Sequence, residues 1–171
     1  MRRLILFRHA KAERSAPSGD DFDRPLSERG KRDARLMGQV LAKRGVVPNA
    51  AWVSPALRTR ETWAEAETAF GAAVETRFAN DLYHATANLM RRLIEADEAN
   101  EGTVVLVGHN PGLHQLAVDL LVEGASSAGD IARIRSRFPT STVVAFDFDA
   151  AGRPSFDGLY LAADYGGGGG E

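Results

Sequence analysis

Short apolar runs alternate with longer stretches in which apolar residues recur every three or four positions. Three runs read as strands: RLILF at 3–7, AAWVS at 50–54 and TVVLVG at 103–108. None alternates cleanly between polar and apolar residues, so each is expected to be buried on both faces, as in a parallel sheet. Helical spacing fills the intervals. Ser27 is placed to cap ERGKRDARLMGQVLAKRG, where Leu36, Met37, Val40 and Leu41 form one stripe, and Gly45 is placed to end it. TRETWAEAETAF sets Trp63 and Phe70 on one face, and TANLMRRLIEAD repeats the stripe with Leu89, Met90, Leu93 and Ile94. NPGLHQLAVDLLVEG reads as a helix with Asn110 at the N-cap and Pro111 in the first helical position.

Strand and helix in alternation predict an α/β fold of three layers, a mostly parallel sheet flanked by helices. The last third departs from this rhythm. STVVAFDFD and PSFDGLYLA flank AAGR, which predicts an antiparallel hairpin at one edge of the sheet. No repeat or linker divides the chain. A single domain is expected over residues 1–165, with GGGGGE at 166–171 as a disordered tail.

Composition narrows the function classes. The chain has 171 residues, 26% of them charged, and a net charge of −2, so no basic field draws it to nucleic acid or a membrane surface. The absence of cysteine removes disulfides, thiolate catalysis and cysteine-ligated zinc, and fits a reducing compartment. The apolar stretch in MRRLILFRH is too short for a signal peptide, and no segment has the length of a membrane span. A cytoplasmic location is expected.

The candidate chemistry lies at the strand ends. In open α/β sheets, ligands bind beyond the carboxyl ends of the strands. The first strand delivers Arg8 and His9 there, the third delivers Gly108, His109 and Asn110, and the second delivers Ser54 and Pro55, with Arg58 one turn later. Two guanidiniums offer forked donors matched to phosphate oxygens, and a helix start at Asn110–Pro111 adds unpaired N–H groups. The set favours a phosphoryl group. An imidazole with a free nitrogen is a nucleophile toward phosphorus, and its phospho-adduct is open to hydrolysis.

LFRHAKAE, VSPALRTRETW and VLVGHNPGL resemble, in order and spacing, three blocks of the histidine phosphatase (phosphoglycerate mutase-like) superfamily, and the resemblance spans roughly residues 3–120. The pattern RHAKAE…DRPLSERGKRDA is most similar to the SixA-type phosphohistidine phosphatase branch. The resemblance implies His9 as nucleophile, Arg8 and Arg58 as phosphate ligands and His109 as the second pocket histidine. Asn110 follows it at the rim. Arg24 in DRPLS matches an arginine near the pocket in that branch, although it could equally pair with Asp20, Asp21 and Asp23. No metal or cofactor is implied.

One departure bears on the substrate. Larger members carry a glutamate general acid where this chain has NDLYHATA, which aligns His84 with the acid and leaves Asp81 nearby. Without a carboxylic acid an alkoxide leaving group lacks its proton, whereas a phosphoramidate nitrogen is protonated beforehand. Only some forty residues separate Arg58 from the third strand, so the capping insertions of larger members are absent. The expected activity is therefore a metal-independent phosphatase acting on protein phosphohistidine through a phosphohistidine intermediate. The alternatives are a small-molecule or sugar phosphate phosphatase and a non-catalytic phospho-ligand binding module. Expected partners are a phosphorylated protein or a small phosphate-bearing substrate, with no nucleic acid and no membrane. Gly108 is expected to permit close approach of a ligand, and His114, off the face of His109, to be a structural or surface histidine.

Overall fold

The computed structural model describes residues 1–96 and 101–168. Six strands form one sheet: β1 (Arg3–Arg8), β2 (Ala50–Val53), β3 (Glu75–Phe78), β4 (Thr103–Gly108), β5 (Val143–Phe148) and β6 (Pro154–Tyr160), in the order β3-β2-β4-β1-β5-β6. β1, β2, β3 and β4 pair in parallel, while β5 runs antiparallel to both β1 and β6. The expected hairpin is β5–β6, and β6 forms the edge. Its turn is organised by Asp149, whose carboxylate accepts N–H bonds from Ala151 and Arg153 at 2.9 Å each.

Alternation along the strands sends successive side chains to opposite layers. Leu4, Leu6, Val104, Leu106, Val144 and Phe146 pack with α3 (Ala87–Glu95), α4 (Gly112–Glu123) and α5 (Ala128–Ser136). Ile5, Phe7, Val53, Val105, Val107 and Val143 pack with α1 (Glu28–Lys43) and α2 (Leu57–Glu67). Both faces of the central strands are thus covered, as their unbroken apolar runs predict.

Ser27 caps α1 by accepting from the Gly30 N–H at 3.1 Å, and Gly45 follows its end with φ +75°. Thr86 caps α3 in the same way, accepting from Leu89. Phe70 lies beyond the end of α2, yet its ring still stacks on Trp63. The last residue of TANLMRRLIEAD, at position 97, lies outside the described residues.

Four expectations need correction or addition. Asn110 does not cap α4: Pro111 occupies the cap position with no side-chain bond, and Asn110 Nδ2 donates instead to the Phe138 carbonyl at 3.1 Å. The edge strand β3 and the helix α5 went unrecognised. β3 is four half-exposed or exposed residues, ETRF, three of them polar, and α5 reads as solvated charge because only Ile134 of it is buried. Of the expected disordered tail, Gly166–Gly168 lie against α1: Gly168 N donates to Asp33 at 3.0 Å and Gly167 N to Ala162. Residues 169–171 lie outside the described residues. Among the described residues no helix is long and apolar enough to cross a membrane.

Candidate active site

β1 and β4 are parallel neighbours, with Arg8 opposite Gly108. The residues that follow therefore leave the sheet side by side. The rings of His9 and His109 lie 5.3 Å apart, centroid to centroid. β2 pairs with β4 on the other side, so Ser54 enters the same rim and Arg58 follows in the first turn of α2. His9, His109 and Arg58 are all buried polar side chains, Arg58 at 3% exposure. An extended guanidinium held this deep must be anchored.

The anchor is Asp21, in a 3₁₀ turn at Asp21–Asp23. Arg58 Nη1 donates to the Asp21 carbonyl at 2.6 Å and Nη2 to its carboxylate at 3.0 Å. The same carboxylate accepts from Arg24 Nε at 2.8 Å and from the Tyr83 hydroxyl at 2.8 Å. Arg8 is fixed differently, by Nη1 donating to the Phe138 carbonyl at 2.6 Å, which Asn110 shares. The loop 138–142 closes this side, with Ser141 N donating to the His9 carbonyl and Arg8 N to that of Thr142.

Hydrogen bonds also set the imidazoles. His9 Nδ1 lies 2.8 Å from the carbonyl oxygen of Ala10. A carbonyl only accepts, so Nδ1 carries the proton and Nε2 keeps its lone pair. Ala10 N donates to Thr62 Oγ1, which donates to the Arg58 carbonyl, so the loop bearing His9 is tied to α2. His109 Nε2 lies 2.7 Å from Ser54 Oγ, and its Nδ1 is buried with no protein partner among the described residues.

Burial is the main reason the His9 imidazole falls from its ordinary value to about 3. The bond to Ala10 opposes the shift, and Arg58, Arg8 and Arg24 add to it. Burial likewise lowers His109 to about 3, reinforced by His9, Arg58 and His84 and opposed by Asp21. For Asp21, desolvation would raise the carboxyl, but the bonds from Tyr83 and Arg24 and the charge of Arg58 outweigh it and hold the group near 2. At neutral pH the pocket thus holds two neutral imidazoles, fixed cations and one carboxylate.

These shifts have a stability signature. Below pH 6.5 the unfolded chain protonates both histidines while the folded chain resists until about pH 3, so stability falls as pH drops through that window. The loss at pH 4.5 is roughly 2 to 3 kcal/mol for each imidazole. Urea unfolding at pH 7 and pH 4.5 reads it directly. A His109→Gln variant is expected to lose clearly less stability between the two pH values than the unaltered chain. Equal losses would mean that His109 titrates normally.

Arg8, His9, Arg58, His109 and Asn110, named from sequence, gather at one rim. Arg24 stands one step behind it, bonded to Asp21 and to the Glu13 carbonyl at 3.0 Å. The His84 ring lies against Tyr83 and 6.4 Å from His109, on a backbone with φ +57°. Asp81 is exposed, and among the described residues no hydrogen bond or ion pair joins it to the cluster. Gly108 does not make room for a ligand: a side chain there would meet Met90 and Leu113 at ordinary contact distance, inside the core. His114 is structural as expected, its Nε2 2.7 Å from the Ile134 carbonyl and its ring stacked on Phe138. Sequence reading missed Asp21 as the hub of the site, and Tyr83 and the Phe138 carbonyl altogether. The hub was hidden in the acidic run DDFD, and a backbone carbonyl carries no sequence signal.

A histidine after each of two neighbouring parallel strands, beside a buried arginine, is a specific arrangement. The sequence pattern of the histidine phosphatase superfamily (branch 1) matches residues 4–82, a span that holds Arg8, His9, Asp21 and Arg58. An uncharacterized protein of Mycobacterium tuberculosis (Rv1276c) is 35% identical over 137 residues, which cover 80% of this chain and 83% of that one. The chain belongs to the histidine phosphatase superfamily. It is a phosphatase. Among solved structures, a candidate phosphohistidine phosphatase SixA from Agrobacterium tumefaciens superposes with a TM-score of 0.81 at 29% identity, over 94% of this chain and 97% of that one. The mycobacterial glucosyl-3-phosphoglycerate phosphatase Rv2419c shares the fold at a TM-score of 0.64 and 18% identity, over 92% of this chain and 97% of that one. The α/β fold with its mostly parallel sheet is therefore that of this superfamily.

Proposed function

We propose that this phosphatase works through a phosphohistidine formed on His9 and that its substrate is phosphohistidine carried by a protein. The observation that carries the first half is the tautomer of His9, whose Nδ1 proton is held by Ala10 and whose Nε2 is left to attack phosphorus. Arg8, Arg58 and the unpartnered Nδ1 of His109 hold the phosphoryl oxygens. When Ser54 donates to Nε2 of His109, Nδ1 carries the proton that an oxyanion requires. Nε2 of His9 bonds to phosphorus as the bond to the leaving nitrogen breaks. Water then attacks the phosphohistidine, releases phosphate and restores neutral His9.

The second half rests on the leaving group. The carboxyl within the cluster, Asp21, is ionised at any working pH and already accepts from Arg24, Arg58 and Tyr83, so it has no proton to give. An imidazole leaving group takes its proton from water before the P–N bond breaks. An alkoxide cannot do so. The second reading is a phosphatase of small phosphate esters, and the position of His84 at the rim is what favours it. An imidazolium there would supply the missing proton. Arg24 enters either reading as a charge behind the pocket, and Asp81 as an acid only if its turn moves.

Turnover of a phosphohistidine peptide compared with glycerol phosphate separates the two. The peptide is expected to give the higher kcat/KM by roughly 10² or more, the usual weight of one general acid. Ester turnover equal to or above it would install the second reading. No turnover of either at any pH would leave only a module that binds phosphorylated ligands.

A further inference from the structure

A cavity of about 350 Å³ adjoins the phosphate pocket and shares His84 and Asn110 with it. Ala85, Ala87, Pro111 and Gly112 form much of its wall, and Gln115, one turn along α4, also lines it. The cavity exists where the turn before α3 meets the start of α4. The two backbones are in direct contact there, since a side chain on Gly112 would fall 2.0 Å from the Ala85 carbonyl oxygen. Small residues on both segments leave the space open.

Its chemistry differs from that of its neighbours. No Asp, Glu, Lys or Arg is among the residues that line it. The cavity of about 210 Å³ beside the Asp21 turn is instead lined by Arg14, Asp20, Asp21 and Arg24. A group attached to phosphorus thus has two ways out of the phosphate pocket, one lined by charged side chains and one without lysine, arginine or carboxylate. A second phosphate or a carboxylate finds there no guanidinium or ammonium to pair with, only His84 and the start of α4. A flat ring with a stretch of peptide beside it finds apolar walls, and the Gln115 amide oxygen is open to a backbone N–H while its Nε2 donates to Asp119 at 2.7 Å. The size falls at the small end of ligand pockets, enough for one side chain and its flanks.

We infer that this cavity is the leaving-group subsite, and that it selects substrates whose phosphoryl group is borne by a ring on a peptide over those borne by an anionic metabolite. The inference rests on the phosphohistidine reading for the identity of the ring. It rests on the cavity alone for the preference against anions.

Gln115→Trp tests it, because Gln115 is exposed and the bulk would occupy the mouth of the cavity. The quantity to follow is the ratio of kcat/KM for a phosphohistidine peptide to that for phosphoramidate, whose leaving group is only ammonia. That ratio is expected to fall roughly tenfold, the effect of losing a group-sized apolar contact. A second variant, Ala87→Leu, narrows the cavity from the other wall and is expected to lower the same ratio. Unchanged ratios in both variants would overturn the subsite. Should the unaltered enzyme hydrolyse only esters, the phosphohistidine reading fails. The subsite is then still judged by the ratio of p-nitrophenyl phosphate to methyl phosphate in the same two variants.

Discussion

Replacing His9 with alanine is expected to reduce turnover by roughly 10⁴-fold or more, the scale on which removal of a nucleophile acts. The expected loss is large because nothing nearby is equipped to substitute. His109 is equally neutral, but its Nε2 faces Ser54 and its remaining nitrogen serves the phosphoryl oxygens. The assay that isolates the role is single-turnover trapping of labelled phosphate on the protein. The quench is alkaline, because an N–P bond survives base and not acid. The unaltered enzyme should retain protein-bound label, and His9→Ala should retain none while its circular dichroism stays native. Label on the alanine variant at the normal level would transfer the nucleophile to another residue.

Arg58→Ala is expected to cost roughly 10²–10³ in kcat/KM, the loss typical of a donor aimed at developing phosphoryl charge. Part of that loss comes from an unusual source. Arg58 and Asp21 neutralise each other through two hydrogen bonds, one of them to the carboxylate. Removing the guanidinium leaves that carboxylate ionised beside an anionic substrate, with only Arg24 and Tyr83 to offset it. The double variant Arg58→Ala, Asp21→Asn should therefore be faster than Arg58→Ala alone, by roughly tenfold, and most of the recovery should lie in KM. Contacting charges are where mutational effects fail to add. If the double variant is slower than either single one, Asp21 contributes something other than charge balance to Arg58.

Much of this was legible in the chain. Unbroken apolar runs such as TVVLVG signal a strand covered on both faces, and β4 occupies that segment from end to end. His9 and His109 were readable because each follows such a run, and the rule about strand carboxyl ends supplies the location. β3 was not readable, since an edge strand needs no apolar face and the one apolar residue of ETRF, Phe78, is exposed. α5 was hidden for a similar reason, with three arginines over 131–138 outnumbering the inward-facing Ile134 and Phe138. Asn110 misled because Asn-Pro before an apolar stripe is a strong helix-start signal, yet a tertiary acceptor, the Phe138 carbonyl, took its amide instead. Asp21 misled in the same direction. Aspartates close together read as solvated loop residues until the fold brings Arg58 and Tyr83 to one of them from 37 and 62 residues away.

The place of β1 in the sheet has a consequence for how the enzyme is made. β1 leaves the ribosome well before its two neighbours, β4 and β5, which come about a hundred and about a hundred and forty residues later. The apolar stretch Leu4–Phe7 therefore has to wait, unpaired, until its partner strands follow about a hundred residues or more later. His9 cannot acquire its companions before then. Catalytic competence arrives only after β4 and its His109 have emerged, and the Leu4–Phe7 segment is where a chaperone is most needed in the interval.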